Sequence, residues 1–539
     1  VKFKIDTNYL VFFFFFSYFV IGLFITGDYP VTPDEPLHRM NGFISLKYIS
    51  NLFFSESILF NELEGFPNLH TDYRKTYGVL FDLPLAFIEH YFINDIKNVF
   101  YVRHFLTFLI FFISTIYFYY LVKINLKKSY IALIGVLILV TTPRIFSHSF
   151  YNSRDILFLS FLIIASFYSL KLIKKFEYKT LLLSCLFCAF ATNIRVLGIY
   201  LPILTFFFYY FYRSKVYKIN IYRFFIIYFS AYLIFLYLIW PFLWSSPFSN
   251  FFLVLKESSS YPVHWDFQTM YLGKYINPEN LPWHYFFVWF GFTTPSFILL
   301  LIITGLYFFI KEYFNFFLKI NFKREITLWK NDNQMTSLFF FLIFFIPVFL
   351  IICLNSTLYN GWRHMYFIYP SLIFLSLQTL IYFKENFNLI YFKSIVFVIL
   401  LQVSFNINFI YKAHPVQNVF FNFFSKKYAT KNLPLDYWGL GNKKTIDYLY
   451  SKNKNFSIGT SSYTNLPNLQ YSKNSYNKKI QFNGTQREIK NKSDFIFTNY
   501  YYNKDPKHSK SYNIPSEYKS YYKLFIDDML VNEVFKKNK

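Results

Sequence analysis

Charged residues are scarce in this chain of 539 residues, because only 15% are Asp, Glu, Lys or Arg while 55% are hydrophobic. A soluble globular protein is typically about 25% charged, so the composition excludes an ordinary cytosolic enzyme. Glycine, at 15 residues, is too rare for a collagen-like chain. The apolar residues instead form blocks of about 18 to 25, the length that spans a bilayer. The sequence therefore predicts a polytopic membrane protein.

Cysteine is scarce as well, and nucleotide-binding motifs are absent from the sequence. The three cysteines, Cys185, Cys188 and Cys353, all lie in apolar stretches, which excludes a disulfide framework. Cys185 and Cys188 form a C-x-x-C in the apolar tract LLLSCLFCAFA, where packing is their expected role. No G-x-x-x-x-G-K, G-x-G-x-x-G or D-x-D motif occurs. The sequence thus requires no cofactor, and it gives a divalent metal ion no support.

Acidic residues number 29 against 54 Lys and Arg, which gives a net charge of +25. Such an excess can indicate a nucleic-acid-binding protein. About half of it, however, falls after His414, where the lysines are spread among Asn, Ser and Tyr. We therefore expect no nucleic-acid partner.

The apolar blocks predict about eleven transmembrane helices. They lie near residues 8–26, 99–121, 129–142, 155–172, 180–192, 196–212, 224–243, 284–310, 336–353, 364–382 and 392–411. The first block follows Lys2 and Lys4, as in a signal peptide, but no small-residue cleavage site comes after it. We expect this block to remain as a membrane anchor.

The basic residues of the short loops predict the orientation. Every second loop carries lysines, and positive residues stay on the cytoplasmic side, so we expect a cytoplasmic N-terminus. The intervening short loops hold no lysine, and their cations are Arg144, Arg154, Arg195 and Arg363. An odd number of spans then places the C-terminal tail outside the cytoplasm.

The chain is expected to divide into two parts. Residues 1–412 would form the membrane domain, with catalytic outer loops at 27–98, 143–155, 244–283 and 354–364. Residues 413–539 would form a soluble α/β domain outside the cytoplasm, with a helix in KKTIDYLYSK. Strand-like runs occur in NFSIGTSS, KIQFNG and SDFIFTNYYY, and KLFIDDMLVNEVF is typical of a hairpin.

Ionisable residues other than lysine gather in the predicted outer loops. Asp34 and Glu35 lie between Pro33 and Pro36, which predicts a stiff, non-helical turn above the bilayer. Singly, such residues usually snorkel or form ion pairs, but ionisable groups near membrane depth are costly and tend to be functional. The remaining candidates are Arg103, His104, Arg144, His148, Arg154, Asp155, Arg195, Arg363 and His364, together with His38, His264 and Asp266.

This set of residues suits a reaction on an anionic lipid. A planar guanidinium binds a phosphate through two parallel hydrogen bonds. A carboxylate on a stiff loop suits a general base for an acceptor hydroxyl. Together these groups predict displacement at the C1 atom of a sugar whose leaving group is a lipid phosphate. One base without a partner nucleophile predicts a single displacement, and therefore inversion.

The same tracts resemble the polyprenyl-phosphate-sugar glycosyltransferases of the GT-C fold, especially the protein O-mannosyltransferases, the lipid A aminoarabinose transferases and their bacterial relatives. The resemblance covers about Asp28 to Trp438. It is carried by the Asp34-Glu35 pair, YGVLFDLPLAFIEHYF with Arg103-His104 after it, PRIFSHSFYNSRD, ATNIRVLGIY, WPFLWSSP, LPWHY, GWRHMYFIYP, HPVQNVFFN and LDYWGLGNKK.

The resemblance implies a role for individual residues. Asp34 matches the catalytic loop acid of the family and Glu35 its neighbour, while Asp155 occupies the position of a donor-pocket acid. Arg103, Arg144 and Arg363 would contact the phosphate, and we place His104, His148, Arg154, Arg195 and His364 on the same donor side. His38, His264 and Asp266 are the candidates for the acceptor side.

The implied activity is the transfer of a hexose, such as a mannose-like sugar, from a polyprenyl phosphate to an extracytoplasmic hydroxyl. The implied location is the inner or plasma membrane of a bacterium. No β-trefoil insert is visible in the sequence, which leaves a protein, lipid or glycan acceptor open. Two alternatives also stay open. A lipid-linked-sugar flippase would need charges through the membrane interior and internal repeats, and a polysaccharide polymerase would use a lipid-diphosphate donor.

Overall fold

The computed structural model describes most of the chain. The described residues are 7–53, 62–213, 220–259, 268–318, 328–453, 455–462, 464, 466–471, 480–484, 492–501 and 512–538. Within them the chain is mostly helical, with a small sheet near the C-terminus. The predicted fold class, a helical polytopic membrane protein with a C-terminal α/β part, is confirmed.

Eight helical segments of the described chain are long and apolar enough to cross a membrane: Thr7–Asp28, Ile96–Leu126, Asp155–Lys174, Ile221–Leu238, Ser296–Leu318, Asp332–Cys353, Arg363–Asn386 and Leu389–Ala413. A bent pair, Ser129–Thr141 with Pro143–Tyr151, and two shorter apolar helices, Tyr178–Ile194 and Val196–Tyr212, complete the set. Each of the eleven predicted blocks overlaps one of these segments, of which eight, or nine with the bent pair as one span, have the length and hydropathy to cross a membrane. The other helices are Glu35–Phe53, Asp82–Phe92, Pro247–Ser259, Tyr285–Thr293, Lys426–Asn432 and Gly441–Lys452.

Proline explains two places where the predicted boundaries are wrong. The predicted outer loop 143–155 is mainly the buried helix Pro143–Tyr151, which is bent by 69° from the preceding helix. Thr142, just before Pro143, is extended, as residues before proline prefer. Likewise, the predicted span 284–310 is interrupted before Ser296, because Thr294 is extended and Pro295 follows it.

The central helix Asp155–Lys174 carries an acidic residue at its first turn and basic residues at its last turn. Most of its side chains are buried by neighbouring helices. Its 20 residues extend about 30 Å, the thickness of a bilayer core. Asp155 lies at its first turn, where the helix dipole favours an anion, and Lys171 and Lys174 lie at its last turn. Carboxylates and lysines are thus a membrane thickness apart.

Close packing fixes the first helix, Thr7–Ile25, against Ile96–Leu126. A Cβ atom on Gly22 would lie 1.9 Å from the Phe108 ring, so only glycine allows this approach. Phe12, Phe13 and Phe24 point away from the bundle and are exposed, as expected of side chains that face lipid. The loop that follows this anchored helix carries Asp34.

The C-terminal part contains a five-stranded mixed sheet. The strands β1 (Thr269–Tyr271) and β2 (Lys274–Ile276) form a separate short hairpin earlier in the chain. The strands of the larger sheet are β3 (Phe456–Thr460), β4 (Ile480–Gly484), β5 (Phe495–Thr498), β6 (Tyr518–Ile526) and β7 (Met529–Lys537), in the order β4-β3-β5-β7-β6. Strand β3 is parallel to β4 and β5, whereas β7 is antiparallel to β5 and β6. Asp527 and Asp528 both have positive φ, which suits a two-residue hairpin turn between β6 and β7.

Segments that flank this sheet contact the membrane part near Asp34. The Asn468 side-chain amide donates a hydrogen bond to the carbonyl of Thr32 (3.0 Å), and the Tyr501 hydroxyl donates one to Asn360 Oδ1 (2.6 Å). The Tyr471 ring stacks on Phe100 at 5.6 Å. Both loops that flank the predicted site, near Thr32 and Asn360, are therefore held by the C-terminal part.

Candidate active site

Asp34 and Glu35 lie at the start of one helix but in different surroundings. Glu35 begins the helix Glu35–Phe53, with Pro36 in its first turn, so only Asp34 lies in the non-helical turn predicted for both. The buried Glu35 carboxylate accepts hydrogen bonds from the backbone and side chain of Thr32 (2.7 and 2.9 Å) and contacts His104 Nε2 at 2.7 Å. Glu35 and His104 therefore hold the turn in place.

Asp34 keeps 31% of its side-chain surface exposed. Its nearest cationic partner is Arg363, whose Nη2 lies 3.7 Å from Asp34 Oδ2. Burial raises the pKa of Asp34 above its ordinary value, and the charge of Arg363 offsets part of this effect. Asp34 is therefore an accessible carboxylate with increased basicity.

Asp155 joins two arginines behind Asp34. Its fully buried carboxylate accepts a hydrogen bond from Arg363 Nη1 (3.1 Å) and pairs with Arg195 through its other oxygen. The Asn152 amide donates a third hydrogen bond to it at 2.8 Å. Arg363 is also enclosed by the rings of Tyr359 and Trp438, whose centroids lie 4.9 and 5.0 Å from its guanidinium carbon. These contacts fix one guanidinium beside Asp34.

A second cluster surrounds Asp82. Its carboxylate, only 2% exposed, pairs with Arg103 through one oxygen and with Arg154 through the other at 2.9 Å. Arg154 also donates a hydrogen bond to the carbonyl of Gly78 (2.6 Å) and lies over the Tyr77 ring. Asp82 thus engages both Arg103, a predicted phosphate contact, and Arg154, a predicted donor-side residue, and its single charge balances one of the two cations.

Arg144 differs from the other predicted arginines in its partners. Its Nε donates a hydrogen bond to the carbonyl of Phe420 (2.9 Å), and its guanidinium lies over the rings of Trp289 and Phe421. Within the described part of the chain no carboxylate pairs with it, and its buried Nη2 has no hydrogen-bond partner. A buried arginine in this state is costly unless an anion neutralises it.

Two other predicted histidines lie within the same region. The buried His148 contacts the Asn152 amide through Nδ1 (2.9 Å), while its Nε2 has no partner among the described residues. His364 follows Arg363 directly and packs edge-on against Tyr359. Both rings therefore lie beside the Asp155 cluster.

His38 lies one helical turn after Asp34, since its backbone N–H donates to the Asp34 carbonyl (3.0 Å). Its ring Nδ1 lies 3.4 Å from Ser153 Oγ. Burial and then the charge of Arg154 hold the pKa of His38 well below its ordinary value, so the ring is neutral at pH 7. His264 and Asp266 lie outside the described residues.

The donor set would suit an anion better than a metal ion. Among the described residues no group of three or more His, Cys, Asp or Glu side chains could hold a metal ion. The arrangement instead places buried guanidinium donors beside a partly open carboxylate, which suits a phosphate and a hydroxyl at neighbouring positions.

Sequence reasoning missed three residues that organise the site. Asp82, Asn152 and Trp438 stand in tracts that carry the resemblance, but none was assigned a role. For Asp82 there was a usable signal, because two buried arginines on one side of the membrane need a buried carboxylate. Trp438 could not be found in this way, since it reaches Arg363 from a distant part of the chain.

Comparisons with known proteins find similarities in sequence and in structure. Residues 91–244 match the sequence model of the dolichyl-phosphate-mannose-protein mannosyltransferase family. This segment supplies Arg103, His104, Arg144, His148, Arg154, Asp155 and Arg195. No curated protein matches the chain.

Among solved structures, the chain is similar to the crystal structure of ArnT from Cupriavidus metallidurans bound to undecaprenyl phosphate. The identity is 10%, the match covers 98% of each chain and the TM-score is 0.43. The family match over residues 91–244 confirms that this part of the chain resembles these mannosyltransferases.

Proposed function

We propose that the protein transfers a sugar from a polyprenyl-phosphate carrier to an acceptor hydroxyl, with inversion at C1. The observation that carries the proposal is the state of Asp34. The carboxylates of Glu35, Asp82 and Asp155 are each occupied by buried partners. Asp34 alone among these four keeps a substantial exposed surface, and it lies beside a fixed arginine.

Asp34 is the proposed general base. Its raised pKa increases its affinity for a proton, and its exposed surface gives an acceptor hydroxyl access to it. Glu35 cannot act in this way without losing its contacts to Thr32 and His104. The role proposed for Glu35 is therefore to position the turn that carries Asp34.

Arg363 and Arg144 are the proposed phosphate ligands. Arg363 is held between two aromatic rings and shares its charge between Asp155 and Asp34. Arg144 has a buried Nη2 to offer to an anion. Arg103 and Arg154, both engaged by Asp82, would shape the site without direct contact to the phosphate.

The proposed step is a single displacement. The Asp34 carboxylate takes the proton of the acceptor hydroxyl as the acceptor oxygen bonds to C1 of the sugar. The bond between C1 and the phosphate oxygen breaks, and both of its electrons leave with the polyprenyl phosphate. The arginines stabilise the charge that grows on this phosphate, so no acid is required to protonate it.

The proposed location is the extracytoplasmic face of the membrane. Asp34, Asp155 and Arg363 lie at one end of the helices, whereas Lys171, Lys174 and Lys384 lie at the opposite ends. Lysine-rich ends favour the cytoplasm, which supports a site on the other side. A hexose is the sugar that we propose.

The test supplies the purified full-length protein with two labelled donors, a polyprenyl-phosphate hexose and a polyprenyl-diphosphate sugar, in the presence of candidate acceptor hydroxyls. We expect only the monophosphate donor to be consumed, with a product of inverted anomeric configuration by NMR. Consumption of the diphosphate donor alone would support the polymerase. Movement of labelled lipid across a vesicle membrane without transfer would support the flippase.

A further inference from the structure

A cavity of about 390 Å³ lies between the membrane part and the C-terminal sheet. One wall is a hairpin of the strands β1 (Thr269–Tyr271) and β2 (Lys274–Ile276), a second follows the helix Lys426–Asn432, and a third is the chain around Tyr501. Ligand pockets typically measure about 300–1,000 Å³. The cavity therefore has the volume to hold one or two sugar rings.

The hairpin is fastened in place as a wall of this cavity. Gly273, at its tip, has a φ of +80° and donates its backbone N–H to the carbonyl of Asn432 (2.9 Å). A Cβ atom there would lie 2.8 Å from Asn432 Oδ1, so a larger residue would require the Asn432 side chain to move as well as a strained backbone. The register pairs Met270 with Tyr275, which places both side chains on the same face of the hairpin, toward the cavity.

The lining combines aromatic faces with a few polar groups. Tyr275, Tyr500 and Tyr501 supply aromatic rings, Asn499 supplies an amide, and the exposed Lys431 lies at the rim. Apolar residues such as Leu435 line much of the remainder. Aromatic rings can pack on the C–H faces of a sugar, and amide and hydroxyl groups can form hydrogen bonds with its oxygens. This lining is therefore suited to bind a saccharide.

The cavity is connected to the candidate active site through one hydrogen bond. Tyr501, which lines the cavity, donates its hydroxyl to Asn360 Oδ1 at 2.6 Å. Asn360 and Gly361 both have positive φ and form the turn that leads to Arg363. Arg363 Nη2 in turn lies 3.7 Å from the Asp34 carboxylate. A molecule bound in the cavity would therefore lie next to the loop that carries Arg363.

We propose that this cavity binds the saccharide portion of the acceptor, so that the acceptor is a glycan. The proposal rests on the proposed function for its catalytic meaning, because glycosyl transfer needs an acceptor hydroxyl near Asp34. The binding itself does not depend on transfer, and it can be measured without a donor.

The experiment measures saccharide binding to the purified full-length protein by saturation-transfer NMR. The probes are methyl glycosides and disaccharides of mannose, glucose and N-acetylglucosamine. Two variants alter the cavity, since Leu435→Trp fills it and Tyr275→Ala removes one ring. Tyr428→Ala is the matched control, because Tyr428 is an exposed tyrosine of the helix Lys426–Asn432 whose side chain is not part of the cavity lining.

We expect at least one probe to bind, and each cavity variant to weaken that binding tenfold or more while Tyr428→Ala leaves it unchanged. Melting temperatures verify folding, and Tyr275→Ala provides the test if Leu435→Trp does not fold. The proposal is overturned if no probe binds or if binding survives in the cavity variants. Saccharide binding without consumption of any donor would support saccharide binding in the cavity and refute the proposed transfer. Transfer to a sugar-free peptide without saccharide binding would support the proposed transfer and refute saccharide binding in the cavity.

Discussion

Asp82→Asn is the substitution that tests most directly how the arginines are held. The Asp82 side chain is 2% exposed, and its partners Arg103 and Arg154 are 3% and 7% exposed. Removing the carboxylate charge leaves two buried guanidinium groups without their shared anionic partner. Loss of one partner from a buried ion pair typically costs about 3–5 kcal/mol.

This cost converts into a measurable change in melting temperature. Unfolding entropies are about 2.1 cal/mol/K per residue, which for 539 residues is about 1.1 kcal/mol/K. Asp82→Asn should therefore lower the Tm by about 3–4 °C in a thermal-unfolding assay of the protein in detergent. Because Arg154 is one of the two unpaired cations, adding Arg154→Gln should recover part of the loss.

Glu177→Gln serves as the control, because the Glu177 side chain is 39% exposed and its only ion pair among the described residues is with Lys175, which is 76% exposed. This variant should melt like the wild type. If Asp82→Asn also melts within 1 °C of the wild type, the two arginines do not depend on Asp82, and the account of this cluster is wrong.

Three further predictions concern Asp34 and its surroundings. Since folding raises the pKa of Asp34 above 3.8, the acid limb of the kcat/KM profile should lie above pH 3.8. The same raised pKa means that Asp34 contributes most to stability in acid, where it is protonated, and that this contribution is lost as the pH rises. Asp34→Asn should therefore raise the Tm at pH 7 but not at low pH. Arg363→Lys should raise the donor KM about tenfold or more, because a lysine cannot keep the forked contacts, whereas Arg223→Lys, at an exposed arginine, should not. Gly361→Ala should cost about 1–2 kcal/mol in a denaturation assay, because Gly361 has a φ of +84°, and an unchanged stability would mean that the turn before Arg363 readily rearranges.

The membrane helices could be predicted from the sequence because their apolar length is set by the bilayer itself. The strands of the C-terminal part were similarly visible as alternating runs, and the Asp527-Asp528 turn lies where the hairpin was expected. Boundaries failed at Pro143 and Pro295, since hydropathy does not register a proline that bends or interrupts an apolar stretch.

The candidate site could be predicted in its composition but less in its pairing. The sequence indicated that Asp34, Asp155, Arg195 and Arg363 gather at one end of the helices, and they lie together in the structure. It could not separate the roles of Asp34 and Glu35, because adjacent residues of a helix start point in different directions. Only the fold brings Glu35 to His104, 69 residues away.

The positions of Trp438 and Tyr501 were beyond sequence reasoning for the same reason. The Trp438 ring packs on Arg363, which is 75 residues away in the sequence. The Tyr501 hydroxyl donates a hydrogen bond to Asn360, which is 141 residues away. Such contacts depend on how the C-terminal sheet lies against the membrane helices, and no periodicity in the sequence encodes this. They give the C-terminal part a direct role in shaping the site.

The central claim is that Asp34 is the base of glycosyl transfer. The most direct measurement compares the transfer rate of Asp34→Asn with that of the wild type, on a labelled polyprenyl-phosphate hexose and an acceptor that the wild type uses. Asp28→Asn is the control, because Asp28 is an exposed acid of the same loop that contacts His414. The account predicts a loss of about 10²–10⁴-fold in kcat for Asp34→Asn, with donor binding retained, and little change for Asp28→Asn. A transfer rate for Asp34→Asn close to that of the wild type would contradict it.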